Sequence, residues 1–247
     1  MRSFTPIALL LLAGAQVFAQ KQLKPKSPKE GAAINALLQA QDPDMRIKAA
    51  DDLITNFADT EFKSYALYLE AEAYQQKGDN DKAIFYSEQT LEADPKSYQA
   101  AVLLAKTYAS TTKVNDLDKE EKLAKSAKYA SQALELLKTA EKPNPALSDT
   151  DWTGVKNDLM GQSYLALGIS AAFHNKMDDV ATNFQKVAEL DTDATDLIRG
   201  GRVLLDVKKY EQAATWFDKA AMSPNANAQV KDIATKDKAR AQAMIKK

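Results

Sequence analysis

The sequence predicts an all-α fold of stacked antiparallel helix pairs, an α-solenoid, and three observations predict it. A helical pattern repeats itself: Leu167-Gly168, Val180, Phe184 and Val187 recur as Gly200-Gly201, Ala213, Phe217 and Ala220, each shifted by about 33 residues, the length of one helix pair. An earlier copy carries Tyr74, Gly78, Ala83 and Pro95, and Tyr74 recurs as Tyr108. Gly and Pro number only eight each, too few for an all-β chain that must turn often. Alanine is plentiful, which suits close-packed helices.

The pattern starts after a leader. Met1-Arg2 is a short positive start, Ile7 to Ala15 is apolar, and Val17-Phe18-Ala19 places small side chains three residues and one residue before a cleavage point. Residues 1–19 therefore read as a secretory signal peptide, cut after Ala19. The apolar run is shorter than the roughly 20 residues a bilayer requires. No second run of that length follows, so the mature chain is expected to be exported without a membrane span. Residues 20–29, basic and proline-containing, read as a flexible linker.

Residues 30–225 carry the repeats. Ala33, Ala36, Leu37 and Ala40 share one face of a first helix. Asp42-Pro43 opens the second, with Asp42 as N-cap and Pro43 in the first turn, and Ile47, Leu53, Ile54 and Phe57 on its apolar side. The first clear repeat runs from Ser64 to Pro95 and turns at Gly78-Asp79-Asn80, with Asn80 as the expected N-cap. The second starts at Tyr98. It is interrupted by a polar insertion near 111–119, then resumes from Lys122 to Lys138. A loop at 141–149 contains Pro143 and Pro145. The third repeat has a long helix from Asp151 to Phe173, a turn at Asn175, and a partner helix from Met177 to Leu190. The fourth runs from Ala194 to Pro224 and turns near Val207-Lys208. Residues 226–247 form a polar C-terminal helix of the kind that caps a solenoid.

Charge and composition exclude several function classes. Lys and Arg total 33 against 34 Asp and Glu, without the basic excess of a nucleic-acid binder. There is no cysteine, which removes disulfides, thiol chemistry, Cys-based zinc sites and N-terminal lipidation at Cys. His174 is the only histidine and stands near a helix end, where an imidazole can bond a free carbonyl. Asp191, Asp193 and Asp196 invite a calcium reading, but an EF-hand loop from Asp191 wants Gly at its sixth position and Glu at its twelfth, where the chain has Asp196 and Arg202. The segment reads better as a turn between helices. No Gly-x-Ser-x-Gly, Walker or Gly-x-Gly-x-x-Gly pattern occurs. The expectation is a protein with no catalytic residues, metal or cofactor. Trp216 and Trp152 are expected to pack.

As a set, these residues resemble the tetratricopeptide repeat family. Ala71, Tyr74, Gly78, Ala83, Leu91 and Pro95 match its first unit. Leu104, Ala105, Tyr108, Ala133 and Leu134 match the second, Leu167-Gly168, Ala171, Asn175, Val180, Phe184 and Val187 the third, and Gly201, Leu204, Ala213, Phe217, Ala220 and Pro224 the fourth. The helix pair within 30–63 lacks the Leu-Gly signature. The resemblance implies a right-handed superhelix whose groove is lined by Tyr65, Tyr68, Glu72, Gln75, Gln76, Gln99, Lys106, Gln162, Ile169, Phe173, Arg199, Arg202 and Asp206. Some members grip a carboxylate terminus with Lys and Asn. Here Lys106 is the only Lys among the central positions and no Asn stands beside it, so that variant does not fit. Arg199 and Arg202 either meet an acidic partner, or are solvated or paired with Asp196 and Asp206. The function implied is a non-enzymatic scaffold of the bacterial periplasm or exterior that binds a protein or peptide in its groove. The alternative is a component of an envelope or outer-membrane assembly, and self-association through the convex face or the terminal helix is a further option.

Overall fold

The structure, a computed structural model, describes residues 23–144, 146–190, 194–224 and 226–245. The expected signal peptide, together with Pro145, Asp191 and Asp193, lies outside the described residues. Among these the chain is all helical, with no strand: α1 (Pro28–Gln39), α2 (Pro43–Asn56), α3 (Lys63–Gln76), α4 (Asn80–Ala93), α5 (Tyr98–Thr111), α6 (Lys119–Thr139), α7 (Asp149–Phe173), α8 (Met177–Glu189), α9 (Ala194–Asp206), α10 (Tyr210–Met222) and α11 (Ala228–Ile245). Successive helices pack on one another, as in an α-solenoid. No helix among the described residues is long and apolar enough to cross a membrane.

The chain divides into two compact units. One comprises 1–103 with 138–153, and the other 104–137 with 154–247. The division falls inside α5, α6 and α7, and the proline-containing loop belongs to the first unit.

In the first unit Ile34, Leu37, Leu53, Phe62, Ala66 and Leu69 form the core. On α1 Ile34 and Leu37 are buried, while Ala36, expected on the inner face, is exposed. Ser27 caps α1 by accepting from the Glu30 amide (3.1 Å), and Pro28 sits in the first turn, where a missing N–H costs nothing. Residues before the helix make ordered contacts. Leu23 packs on the core, and Lys26 bonds the Asp59 carboxylate at 2.8 Å. Asp42 caps α2 as expected, accepting from the Asp44 and Met45 amides. Arg46 on α2 donates through Nη2 to the Ala40 carbonyl (3.0 Å), tying the end of α1 to the next helix. At the next turn the cap is Asp79, which accepts from the Lys82 amide, and Asn80 is already helical. Trp152 is buried, its ring 6.3 Å from that of Tyr98.

α6 and α7 begin earlier than the periodicity suggested, at Lys119 in the second unit and at Asp149 in the first. Lys122 on the first turn of α6 bridges Asp116 (3.2 Å) and Asp118 (2.9 Å), which holds the preceding loop against the helix. Ser148, in the first unit, accepts from the Asp151 amide and draws the start of α7 forward. The core is built on Phe184, Phe217, Leu204, Val180 and Val187 with many alanines. Trp216 meets Phe184 edge-on at 4.9 Å, and Lys219 lies 4.3 Å over the Trp216 ring.

Three turns share one geometry. Gly78, Asn175 and Lys208 are the described residues in the left-handed region, at φ of 76°, 58° and 63°. At each, the turn residue donates to the carbonyl three positions back and the next residue to the carbonyl five back: Asp79 to Tyr74, Lys176 to Ala171, and Lys209 to Leu204. This is a Schellman cap, which satisfies carbonyls at the helix end. Asn175 and Lys208 stand about 33 residues apart, one repeat length.

The same register governs packing. A Cβ on Gly168 would lie 2.2 Å from Phe184, and one on Gly201 would lie 2.6 Å from Phe217. Each glycine is the hollow that its partner helix fills with a buried phenyl ring, and burying such a ring contributes about 1.5–3 kcal/mol. The corresponding positions around Gly78 are Ala71 and Ser87, both fully buried. There a small side chain replaces each ring and a methyl replaces each hollow.

Candidate functional site

The expected groove residues fall in both units. In the first, α3 places Tyr65, Tyr68, Glu72 and Gln75 at successive three- and four-residue spacings, along one stripe of the helix. Tyr65 and Tyr68 are half-buried, their rings packed on the core. The Tyr68 hydroxyl donates to Glu72 Oε1 at 2.8 Å. Gln99, half-buried, comes from the start of α5, and Gln76 is exposed.

The electrostatics of this stripe are uniform. Burial, then the Glu72 charge, pushes the Tyr65 phenol upward. Burial pushes Tyr68 well above the usual phenol value, and Glu72 adds to it. Burial takes the neighbouring Tyr98 up to about 12. A phenol raised in this way stays protonated at any pH near neutrality, so it offers a ring and an O–H donor and is no base or nucleophile. The stripe is chemically suited to recognition.

In the second unit Lys106 and Gln162 are half-buried, and Gln162 donates to Asp158 Oδ2 (2.8 Å). Phe173 packs against the core from the end of α7. Ile169 is a core residue, 4% exposed, and lines no surface. Arg199 Nη1 donates to the buried Asp196 carboxylate at 2.7 Å. Arg202 pairs with Asp237 of α11 (2.8 Å), and the sequence had offered Asp206 for that role. Both arginines are thus engaged within the fold. Arg202 fastens the terminal helix, a connection invisible to local spacing. Asp206 is exposed.

His174 takes the structural role its position suggested. Its Nδ1 lies 2.7 Å from the Ser170 carbonyl oxygen, to which it donates, and its Nε2 lies 2.8 Å from Glu120 of α6. The ring holds the exposed Glu120 carboxyl below the usual carboxylate range. Among the described residues no group of three or more His, Cys, Asp or Glu is placed to hold a metal ion.

Sequence reading passed over two residues of note. Leu117 stands fully exposed in the loop between α5 and α6, with Val114 partly exposed beside it. Glu70 on α3 is fully buried. Its position one residue before Ala71, in the place of Leu167 before Gly168, was the signal that could have found it. Compared with protein-family models and with curated proteins, the sequence matches none.

Proposed function

We propose that this chain is a non-enzymatic scaffold of the tetratricopeptide-repeat type, exported to the periplasm or exterior, that binds a protein or peptide partner. The observation that carries the reading is the α3 stripe: Tyr65 and Tyr68 anchored by their rings, kept as neutral donors, with Tyr68 oriented by Glu72. Rigid aromatic side chains with a polar tip supply contact area at small entropic cost, which is why they dominate binding hot spots. Gln75 adds a further donor and acceptor on the same stripe. The recurrence of one turn geometry and one hollow-and-ring contact supports the repeat assignment. With Arg199 and Arg202 engaged inside the second unit, the weight of partner recognition shifts to the first. The direct test is partner affinity after Tyr68→Phe and Tyr65→Ala. Loss of about 1–2 kcal/mol per hot-spot residue is expected, with the helical circular dichroism unchanged.

A second reading, membership of a larger envelope assembly, is favoured by Leu117. The loop that bears it is stapled by the Asp116 carboxylate, which accepts from the Lys113 amide (3.0 Å) and from Lys122 Nζ (3.2 Å). Leu117 is thus presented by a braced loop, the arrangement of a contact point. Leu117→Ser would leave thermal stability unchanged and reduce the size of the complex recovered from native membranes. An unchanged complex counts against this reading.

A further inference from the structure

Glu70 departs from the pattern of its own repeat. Measured from the left-handed turn residues Gly78, Asn175 and Lys208, it occupies the position held by Leu167 in the third repeat and by Gly200 in the fourth. Apolar or small residues fill this place elsewhere, yet here a carboxyl group is fully buried. Neither of its oxygens meets a hydrogen-bond partner at good geometry. Its neighbours do little to favour a charge. Asp51 on α2 carries the same sign. Lys82 on α4 holds its ammonium 4.8 Å over the Tyr74 ring and 3.9 Å from Asp79 Oδ2. The Tyr86 hydroxyl on α4 is the donor turned toward it, and the Tyr86 ring is stacked on Tyr74 of α3 at 5.2 Å.

We propose that Glu70 is a pH-sensitive element of the first unit: protonated, it lets α3 pack on α2 and α4, and ionised, it loosens that packing. A buried carboxylate without full hydrogen bonding is strongly disfavoured, so the side chain takes up a proton instead. Burial pushes its carboxyl up to about 7, with Asp51 adding to the rise and Tyr86 and Lys82 opposing it. The folded chain therefore holds this proton over a range in which the unfolded chain, at the ordinary value of 4.5, has released it. Stability from this group is complete below the unfolded value and is lost as pH rises from there through about 7. Because α3 also carries Tyr65, Tyr68 and Glu72, the same event reaches the stripe assigned to partner binding. The effect on stability does not depend on that assignment.

The test is thermal unfolding of the full chain and of Glu70→Gln across roughly pH 5 to 8, with hydrogen exchange of each. The wild-type chain should lose melting temperature as pH rises, and Glu70→Gln should lose markedly less. After correction for intrinsic rates, α3 and α4 peptides should exchange faster at the upper pH while α9 and α10 peptides do not. If Glu70→Gln fails to fold, the carboxyl carbon of Glu70 in the wild-type chain decides the matter by NMR titration. A midpoint near 7 supports the proposal. Equal slopes in the two proteins, or a midpoint at the ordinary 4.5, overturn it. Unchanged partner binding with a confirmed midpoint would leave the switch intact and count only against the binding stripe.

Discussion

Lys208 adopts φ 63° at the turn between α9 and α10, a conformation that a Cβ penalises and that glycine tolerates. Gly78 already occupies the equivalent place. Lys208→Gly should therefore stabilise the chain by about 0.5–1 kcal/mol, read by chemical denaturation, because the relief of strain exceeds glycine's greater unfolded entropy. One residue after the left-handed turn residue, Lys176 and Lys209 occupy the N-cap positions of α8 and α10, and neither side chain caps its helix. Asp79 does so for α4. Lys209→Asp should add about 0.5–1 kcal/mol by bonding a free amide and by reversing a charge unfavourable at a helix N-terminus. Glu70 is the opposite case, a buried polar group whose removal should stabilise the chain. Glu70→Leu restores the residue type of Leu167, and relieving a carboxyl held near 7 should stabilise the chain above neutral pH by on the order of 3 kcal/mol. That gain should shrink toward zero as pH falls below 4.5. The turn residues and caps were largely legible in the sequence, since Gly78, Asn175 and Asp42 announce themselves locally. Asp79 was mistaken for its neighbour Asn80 because both are good capping types one residue apart. Glu70 was missed because periodicity registers where apolar residues stand and says nothing about a polar one buried among them.

Helix pairs are held by contacts whose sign depends on the space available. Alanine is the better helix former by about 1 kcal/mol, so an exposed helical glycine should tolerate replacement. Gly154 on α7 has open space around it, whereas a Cβ on Gly168 would fall 2.2 Å from the Phe184 ring. Gly154→Ala is expected to stabilise by about 0.5–1 kcal/mol. Gly168→Ala should destabilise by about 1–3 kcal/mol as the buried ring is displaced. Opposite signs for one substitution on one helix would check the hollow-and-ring account, and equal signs would refute it. The terminal helix α11 buries only Ala234 and Ala241 among its side chains. It should exchange its amides faster than α9 and α10, because local stability follows buried contact. The order and approximate ends of all the described helices could be read from sequence, since apolar residues at three- and four-residue spacing fix a helix face. The pairing of Arg202 with Asp237 on α11 could not, because it joins residues far apart in the chain.

For the molecule as a whole, the near balance of charge and the lack of cysteine make packing the main source of stability, and the recurring Gly–Phe contacts show how that packing is repeated. The recognition role we propose rests on a few oriented side chains of α3. The stripe was only half legible. The resemblance named Tyr65, Tyr68 and Glu72 by their phase on one helix, but it also named Ile169, which the fold buries, and the two arginines, which the fold engages. Phase gives the direction of a side chain and not the identity of what covers it. The most direct measurement of the central claim is site-specific photocrosslinking of the full chain in its native envelope, with the crosslinker at Gln75 on the α3 stripe and, as a control, at the exposed Asp81 on α4. The account predicts one discrete protein adduct at Gln75, absent at Asp81 and lost when Tyr65→Ala and Tyr68→Phe are combined. The same adducts at both positions, or an adduct at Gln75 that survives both substitutions, would contradict it.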